Sequence, residues 1–190
     1  MKKPWLTFAG LCSIVLAIVL LCVIFGSYTS MLRSKSRINT GKNLLVQACL
    51  DQLDRVPQLV SLAPETFSNE AVFRIKDTAQ QLQKVLTLFQ AAEGPLDPDL
   101  VASFENTQAG LAKDLDVLTT AIGKHHALSK EMNDLYLKTI YSAKRYNKEA
   151  RYFATRKTVF PGFLTARWFH LDMLDFPRID LECFTPWGLQ

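Results

Sequence analysis

The sequence predicts an all-α protein: an N-terminal transmembrane helix followed by an antiparallel up-down four-helix bundle. Three observations carry that expectation. Trp5 to Tyr28 holds no charged residue. Long segments beyond it place apolar residues at three-then-four spacing, with no sustained alternation of apolar and polar residues. Turn signals are too sparse to punctuate the many short strands of a sheet protein. The chain has 190 residues, 48% hydrophobic and 21% charged, and residues 1–30 take a disproportionate share of the apolar ones. One anchor and one domain account for that distribution.

Residues 1–4 form a short flank carrying Lys2 and Lys3, and 5–28 form the anchor. At 1.5 Å per residue the anchor measures roughly 35 Å, slightly more than the roughly 30 Å hydrocarbon core, so a modest tilt absorbs the excess. Trp5 and Tyr28 are placed as interfacial aromatics. A cleaved secretory signal would have a shorter apolar region of about 7 to 15 residues ending in small residues. Leu11 and Leu21 precede Cys12 and Cys22, where a lipoprotein signal wants a small residue. Arg33, Lys35, Arg37 and Lys42 outweigh Lys2 and Lys3 across the anchor, so the positive-inside rule favours an outside N-terminus and a cytoplasmic domain. Cys49 and Cys183 lie beyond the anchor with no CxxC, which is not the pattern of a disulfide framework.

Residues 29–160 read as the helical bundle. From Ser30 to Val60 the breakers are Gly41 and Pro57, so the first soluble helix is expected to run through with a kink near Pro57 and to end at Ala63-Pro64. Val72, Ile75, Ala79, Leu82, Leu86 and Phe89 give a second helix about five turns long, with Ser68 as its N-cap. Gly94-Pro95-Leu96-Asp97-Pro98-Asp99 is a loop between antiparallel neighbours. Phe104, Leu111, Leu115, Leu118 and Ile122 form the third stripe. Met132, Leu135, Thr139, Ala143, Tyr146, Ala150 and Phe153 form the fourth, with the boundary near Gly123 to Ala127. Residues 161–190 are an aromatic and acidic tail.

Two segments carry a family resemblance. Tyr146-Asn147 is followed by Arg151, by Phe153 seven residues after the tyrosine, and by Phe160-Pro161 fourteen residues after it. Asp54-Arg55-Val56-Pro57-Gln58-Leu59-Val60 supplies a second match through Asp54, Pro57, Leu59 and Val60. The chain thereby resembles the LemA family, whose first soluble helix carries Asp-Leu-Ile-Pro-Asn-Leu-Val. Ala154 stands where that family usually has a second Asn, Gly162-Phe163 replaces Ser-Asn, and Asp51-Gln52 replaces a basic pair, so the resemblance is to a divergent member. It implies a membrane-tethered helical bundle in the bacterial cell membrane, usually on the cytoplasmic side, and supplies no biochemical activity.

Residue chemistry points away from catalysis. His125-His126 are adjacent, whereas helical metal pairs want i,i+4 spacing, so a solvated linker is the better reading and no metal site is expected. Cys183 and His170 flank Asp172, Asp175, Asp180 and Glu182 without a nucleophile–base–acid set or a glycine-rich phosphate loop. No cofactor is expected either. Tyr146 shares a stripe with Thr139 and Phe153 and reads as a core tyrosine, and Asn147 as a local hydrogen-bonding residue.

Charge is the more informative signal. Lys138, Lys144, Arg145, Lys148, Arg151, Arg156 and Lys157 face a single acid, Glu149. At about 100° per residue, Lys144, Lys148 and Arg151 fall opposite the Tyr146/Phe153 stripe and form an outward basic face. In an up-down bundle this helix returns towards the bilayer, which would bring Lys144, Lys148 and Arg151 together with Arg33, Lys35 and Arg37 as a membrane-surface set. Each such side chain is worth about 1 kcal/mol at best near an anionic leaflet. Phe160 to Leu164 and Trp168-Phe169 are expected at the same level, either in the headgroup region or capping the core. Twenty-two bases less Lys2 and Lys3 leave 20 against 18 acids, too balanced for nucleic acid. The expected partners are the lipid bilayer, including anionic lipids, and unidentified proteins or further copies of the chain. The expected function is a non-enzymatic membrane-anchored scaffold or adaptor. The alternative is a small-ligand sensor whose bundle lies on the extracytoplasmic side.

Overall fold

A computed structural model describes residues 4–123 and 126–184, with side chains from Gly10 onwards. Lys2, Lys3, His125 and the side chain of Trp5, which figured in the expectations above, lie outside the described residues. Within them the chain is all-helical: α1 (Pro4–Leu53), α2 (Val56–Ser61), α3 (Asn69–Ala91), α4 (Pro98–Ile122), α5 (Ala127–Thr158), α6 (Gly162–Trp168) and a closing 3-10 turn (Leu181–Phe184).

The 50 residues of α1 form one unbroken helix about 75 Å long. Its first half is long and apolar enough to cross a membrane. Leu11, Ile14, Leu16, Ile18 and Phe25 are all more than half exposed. Its second half is a column of the core, with Met31, Ile38, Leu45 and Cys49 fully enclosed. Gly41 does not break it. A Cβ at Gly41 would lie 3.1 Å from the Tyr146 Cα, so the glycine lets α5 approach closely.

The expected kink near Pro57 is instead a break four residues earlier. A proline ring clashes with the carbonyl of residue i−4, here Leu53, the last residue of α1. Pro57 then occupies the first turn of α2, where its missing N–H costs nothing.

Side-chain pairs fix the directions of the long helices. Gly41 faces Tyr146, Asp51 pairs with Lys138 at 2.7 Å and Arg55 with Glu131 at 2.9 Å, so α1 and α5 run antiparallel. Arg74 holds Asp114 through two guanidinium nitrogens, and Phe89 meets Phe104 at 5.0 Å, so α3 and α4 also run antiparallel. The Lys42 ammonium donates to the Ala92 carbonyl and ties the end of α3 to the second half of α1.

Ser68 caps α3 by accepting from the Glu70 N–H, as its sequence position predicts, and Asp97 caps α4 in the same way. Ile75, Leu82, Leu86 and Phe89 of the second stripe are buried, as are Phe104, Leu111, Leu115 and Leu118 of the third. In α5 the fourth stripe holds from Thr139 to Phe153, but Tyr136 rather than Leu135 carries the buried position before it.

Among the described residues α4 and α5 share almost no direct packing. The C-terminal segment fills the space between them. Leu171, Phe176, Ile179, Cys183 and Phe184 are buried, and the Phe184 ring lies 6.2 Å from that of Phe104 and 6.4 Å from that of Tyr136.

Candidate interaction surfaces

The α1/α5 pairing sets a scale along the molecule. Paired residue numbers sum to about 187, so each α5 residue can be placed beside a residue of α1. Measured from Tyr28, where the uncharged run ends, Arg33, Lys35 and Arg37 lie about 8, 10 and 14 Å along the axis. Arg151, Lys148 and Lys144 lie about 12, 17 and 22 Å along it by the same rise. Of these six, Lys35 is half-buried and the rest are exposed. They do not form a ring at one level. Arg37, Lys144, Lys148 and Arg151 instead line an open depression on the flank of α5, together with Arg178 from the C-terminal segment.

The foot of the domain is built differently. Gly26, Ser27 and Ser30 of α1 share a crevice with Arg156, Val159, Phe160 and Gly162. Tyr28 stacks on Phe169 with ring centroids 4.2 Å apart. The α5–α6 corner is tight enough to require glycine: a Cβ at Gly162 would sit 2.0 Å from the Arg156 carbonyl oxygen. This corner turns Phe160 (61% exposed), Phe163 (45%) and Trp168 (60%) outwards around the end of the apolar run.

The motif residues divide between core and corner. Tyr146 is enclosed and donates its hydroxyl to the Pro177 carbonyl at 3.0 Å. Asn147 is not a local hydrogen-bonding residue. Its amide donates to the Ile179 carbonyl at 2.7 Å and accepts from the Ile179 N–H at 2.8 Å, thirty-two residues away. Phe153 is buried edge-on against Phe176 at 5.2 Å. Arg151 is exposed, and Phe160-Pro161 forms the corner just described. In the other segment Leu59 is buried, Val60 half-buried, and Asp54 and Pro57 exposed around the break.

Lys157 belongs to this same assembly rather than to a free basic face. Its ammonium donates to the Leu174 carbonyl at 2.5 Å and the Asp172 carbonyl at 3.3 Å, 5.8 Å above the Phe153 ring. Between the levels of Phe153 and Tyr136, α5 rises about 25 Å, alongside which the segment from Phe176 runs without regular structure to Asp180 and closes in the 3-10 turn Leu181–Phe184. Residues 171–184 thus act as a strap running antiparallel to α5. Sequence reasoning missed it. Its apolar residues follow neither a helical nor a strand period, so no spacing signal marked it.

Burial sets the chemistry of the core groups. It pushes the Cys49 thiol well above its ordinary range, with Cys183 adding to the effect. Cys183 is pushed up to about 12 by burial, helped by Glu105 and Asp180. The Tyr136 and Tyr146 phenols are raised mainly by burial. All are shifted away from reactivity at neutral pH. Among the described residues no three His, Cys, Asp or Glu side chains are grouped to hold a metal ion. His126 caps α5 through its ring, accepting from the Leu128 N–H at 3.3 Å.

The surfaces define a helical domain presented on a long apolar helix. No family profile, curated protein or solved structure matches this chain.

Proposed function

We propose that this chain is a non-enzymatic, single-pass protein of the bacterial cell membrane, with an up-down arrangement of four long helices acting as a scaffold on the cytoplasmic side. The observation that carries this reading is α1 itself. One helix leaves an exposed apolar stretch and becomes, without a break, the column against which α3, α5 and α6 pack. The domain is therefore rigidly coupled to the anchor rather than tethered by a linker.

The charge excess of Arg33, Lys35 and Arg37 over Lys2 and Lys3 supports the orientation. The residues that carry the LemA resemblance have structural partners. Tyr146, Asn147 and Phe153 hold the strap, and Phe160-Pro161 turns the chain at its foot. The Tyr146 hydroxyl and the Asn147 amide are both engaged in backbone bonds.

Exposed apolar and aromatic positions on the outer faces, Phe73 on α3 and Tyr141 on α5, offer partner contacts. A photo-crosslinking residue at Tyr141, with Phe73 as a second site, tests the scaffold in native membranes. Discrete adducts with a protein or a second copy are expected. Their absence at both outward sites refutes the reading. Labelling of Glu93→Cys, exposed beside the α3–α4 loop, reports orientation in a background lacking the native cysteines. Protection until lysis is expected.

A second reading, an extracytoplasmic small-ligand sensor, is favoured by one observation. Gln52 and Gln108 are 1% and 0% exposed, and their side-chain amides have no hydrogen-bond partner. Labelling of Glu93→Cys in intact cells would promote it.

A further inference from the structure

The corner between α5 and α6 presents aromatic side chains that the packing of the domain does not use. Phe160, Phe163 and Trp168 point away from the core, while their neighbours Gly162, Thr165 and Ala166 are buried against it. The corner wraps α1 at Gly26 to Ser30, and Tyr28–Phe169 stacking fixes its height at the end of the uncharged run. We infer that Phe160, Phe163 and Trp168 form a collar that inserts into the headgroup and upper acyl region of the bilayer, seating the domain on the membrane surface. The inference rests on the reading that α1 crosses a membrane.

Lipid is the occupant that the continuity of surfaces selects. The collar adjoins the exposed apolar surface of α1, of which Phe25 is 57% exposed. Any bilayer that covers that surface to its end reaches the collar. Phenylalanine and tryptophan are suited to this depth, where an apolar body meets acyl chain and the indole N–H meets headgroup or water. Arg156 and Arg167 flank the collar, placing cations at headgroup height. The fold also explains why the aromatics hold station. Gly162 pins the corner against the Arg156 carbonyl, and the Phe169 N–H bonds the Thr165 carbonyl at 3.1 Å. A tethered domain on a flexible stalk would tumble. A long helix with an aromatic foot has one preferred seat.

The test uses the full chain in phosphatidylcholine/phosphatidylglycerol vesicles. Trp5→Phe/Trp187→Phe leaves Trp168 as the sole indole. A companion carries Leu16→Trp in a background with all three native tryptophans replaced by phenylalanine, and reports on the anchor through lipids brominated near the acyl-chain terminus, because Leu16 lies at the middle of the span. Trp168 emission should shift to shorter wavelength relative to detergent-free protein in urea. It should lose intensity with lipids brominated near the headgroup and resist iodide. Unquenched Trp168 beside a quenched Leu16→Trp overturns the collar while leaving the anchor standing. Trp168 protected from iodide yet insensitive to brominated lipid also overturns it, because protein then covers the site. If Leu16→Trp is unquenched as well, the membrane reading itself fails.

Discussion

Asn147→Ala should release the strap far more than its half-buried position on α5 suggests. The side chain closes a two-bond ring with Ile179, at 2.7 and 2.8 Å, and Ile179 is only 2% exposed. Alanine leaves a buried N–H and a buried C=O without partners. Each costs about 1–3 kcal/mol, and since Arg178 and Asp180 on either side are exposed the lower end of that range applies, about 1–1.5 kcal/mol each, giving roughly 2–3 kcal/mol for the pair. At about 1.4 kcal/mol per tenfold, the open population of the strap rises roughly 30- to 150-fold. Arg178 supplies the readout. Its side chain is exposed, but the peptide is pinned by Tyr146 at Pro177 and by Asn147 at Ile179, so trypsin requires the strap to open. Cleavage at Arg178 should accelerate by about that factor under conditions where opening is fast. Asn147→Asp keeps the acceptor for the Ile179 N–H and loses the donor, so its rate should fall between the two. An Asn147→Ala rate within about twofold of the parent would refute the reasoning, because a free energy that small does not correspond to two buried orphan groups.

Glycine at the α5–α6 corner is equally specific: Gly162→Ala brings a Cβ to 2.0 Å from the Arg156 carbonyl oxygen and should cost about 1–3 kcal/mol in thermal or denaturant unfolding. Gly110→Ala is its control, helical with nothing nearer than 3.8 Å, and should be neutral or stabilising by about 0.5–1 kcal/mol. Alkaline pH should destabilise the domain. The Cys49 and Cys183 thiols titrate higher in the folded than in the unfolded chain, so stability is level below the unfolded value near 8.5 and falls as pH rises through it. Two thiols give a slope of roughly 2.7 kcal/mol per pH unit once ionised in the unfolded state. Urea midpoints from about pH 8 to 9 should follow it, and Cys49→Ala/Cys183→Ala should remove it there, leaving the fall that the raised Tyr136 and Tyr146 phenols add as pH approaches and passes about 10.

Where structure followed local rules, the sequence showed it. The stripes of α3 and α4 were legible because each helix buries one face against continuous neighbours, and Ser68 because a cap acts within its own turn. Pro57 signalled an interruption, but its steric effect acts on the carbonyl four residues back, which moved the break to Leu53. Tyr136 escaped because a heptad-like stripe drifts relative to a straight helix, and the drift is resolved by what lies opposite, here Phe184. The strap was hidden altogether. Its stability comes from pairings such as Asn147–Ile179 and Lys157–Leu174, whose partners are remote in sequence and leave no period to detect. Lys144, Lys148 and Arg151 are exposed on α5, and the height of this face along the molecule depends on a pairing with α1 that spacing alone does not give.

That height decides which residues a membrane can feel. On the reading that α1 crosses a bilayer ending near Tyr28, Lys148 and Lys144 lie about 17 and 22 Å beyond it, two or more screening lengths at the physiological value of about 8 Å. Their attraction to an anionic leaflet is therefore largely screened. Arg33 and Arg156 lie within about one screening length and retain theirs. The basic flank also includes Arg178 of the strap, whose position depends on Asn147 and Tyr146 rather than on the anchor. Opening the strap would thus remove Arg178 from the flank and leave the aromatic foot unchanged. The two surfaces respond to different perturbations: Gly162→Ala acts on the foot, and Asn147→Ala acts on the flank.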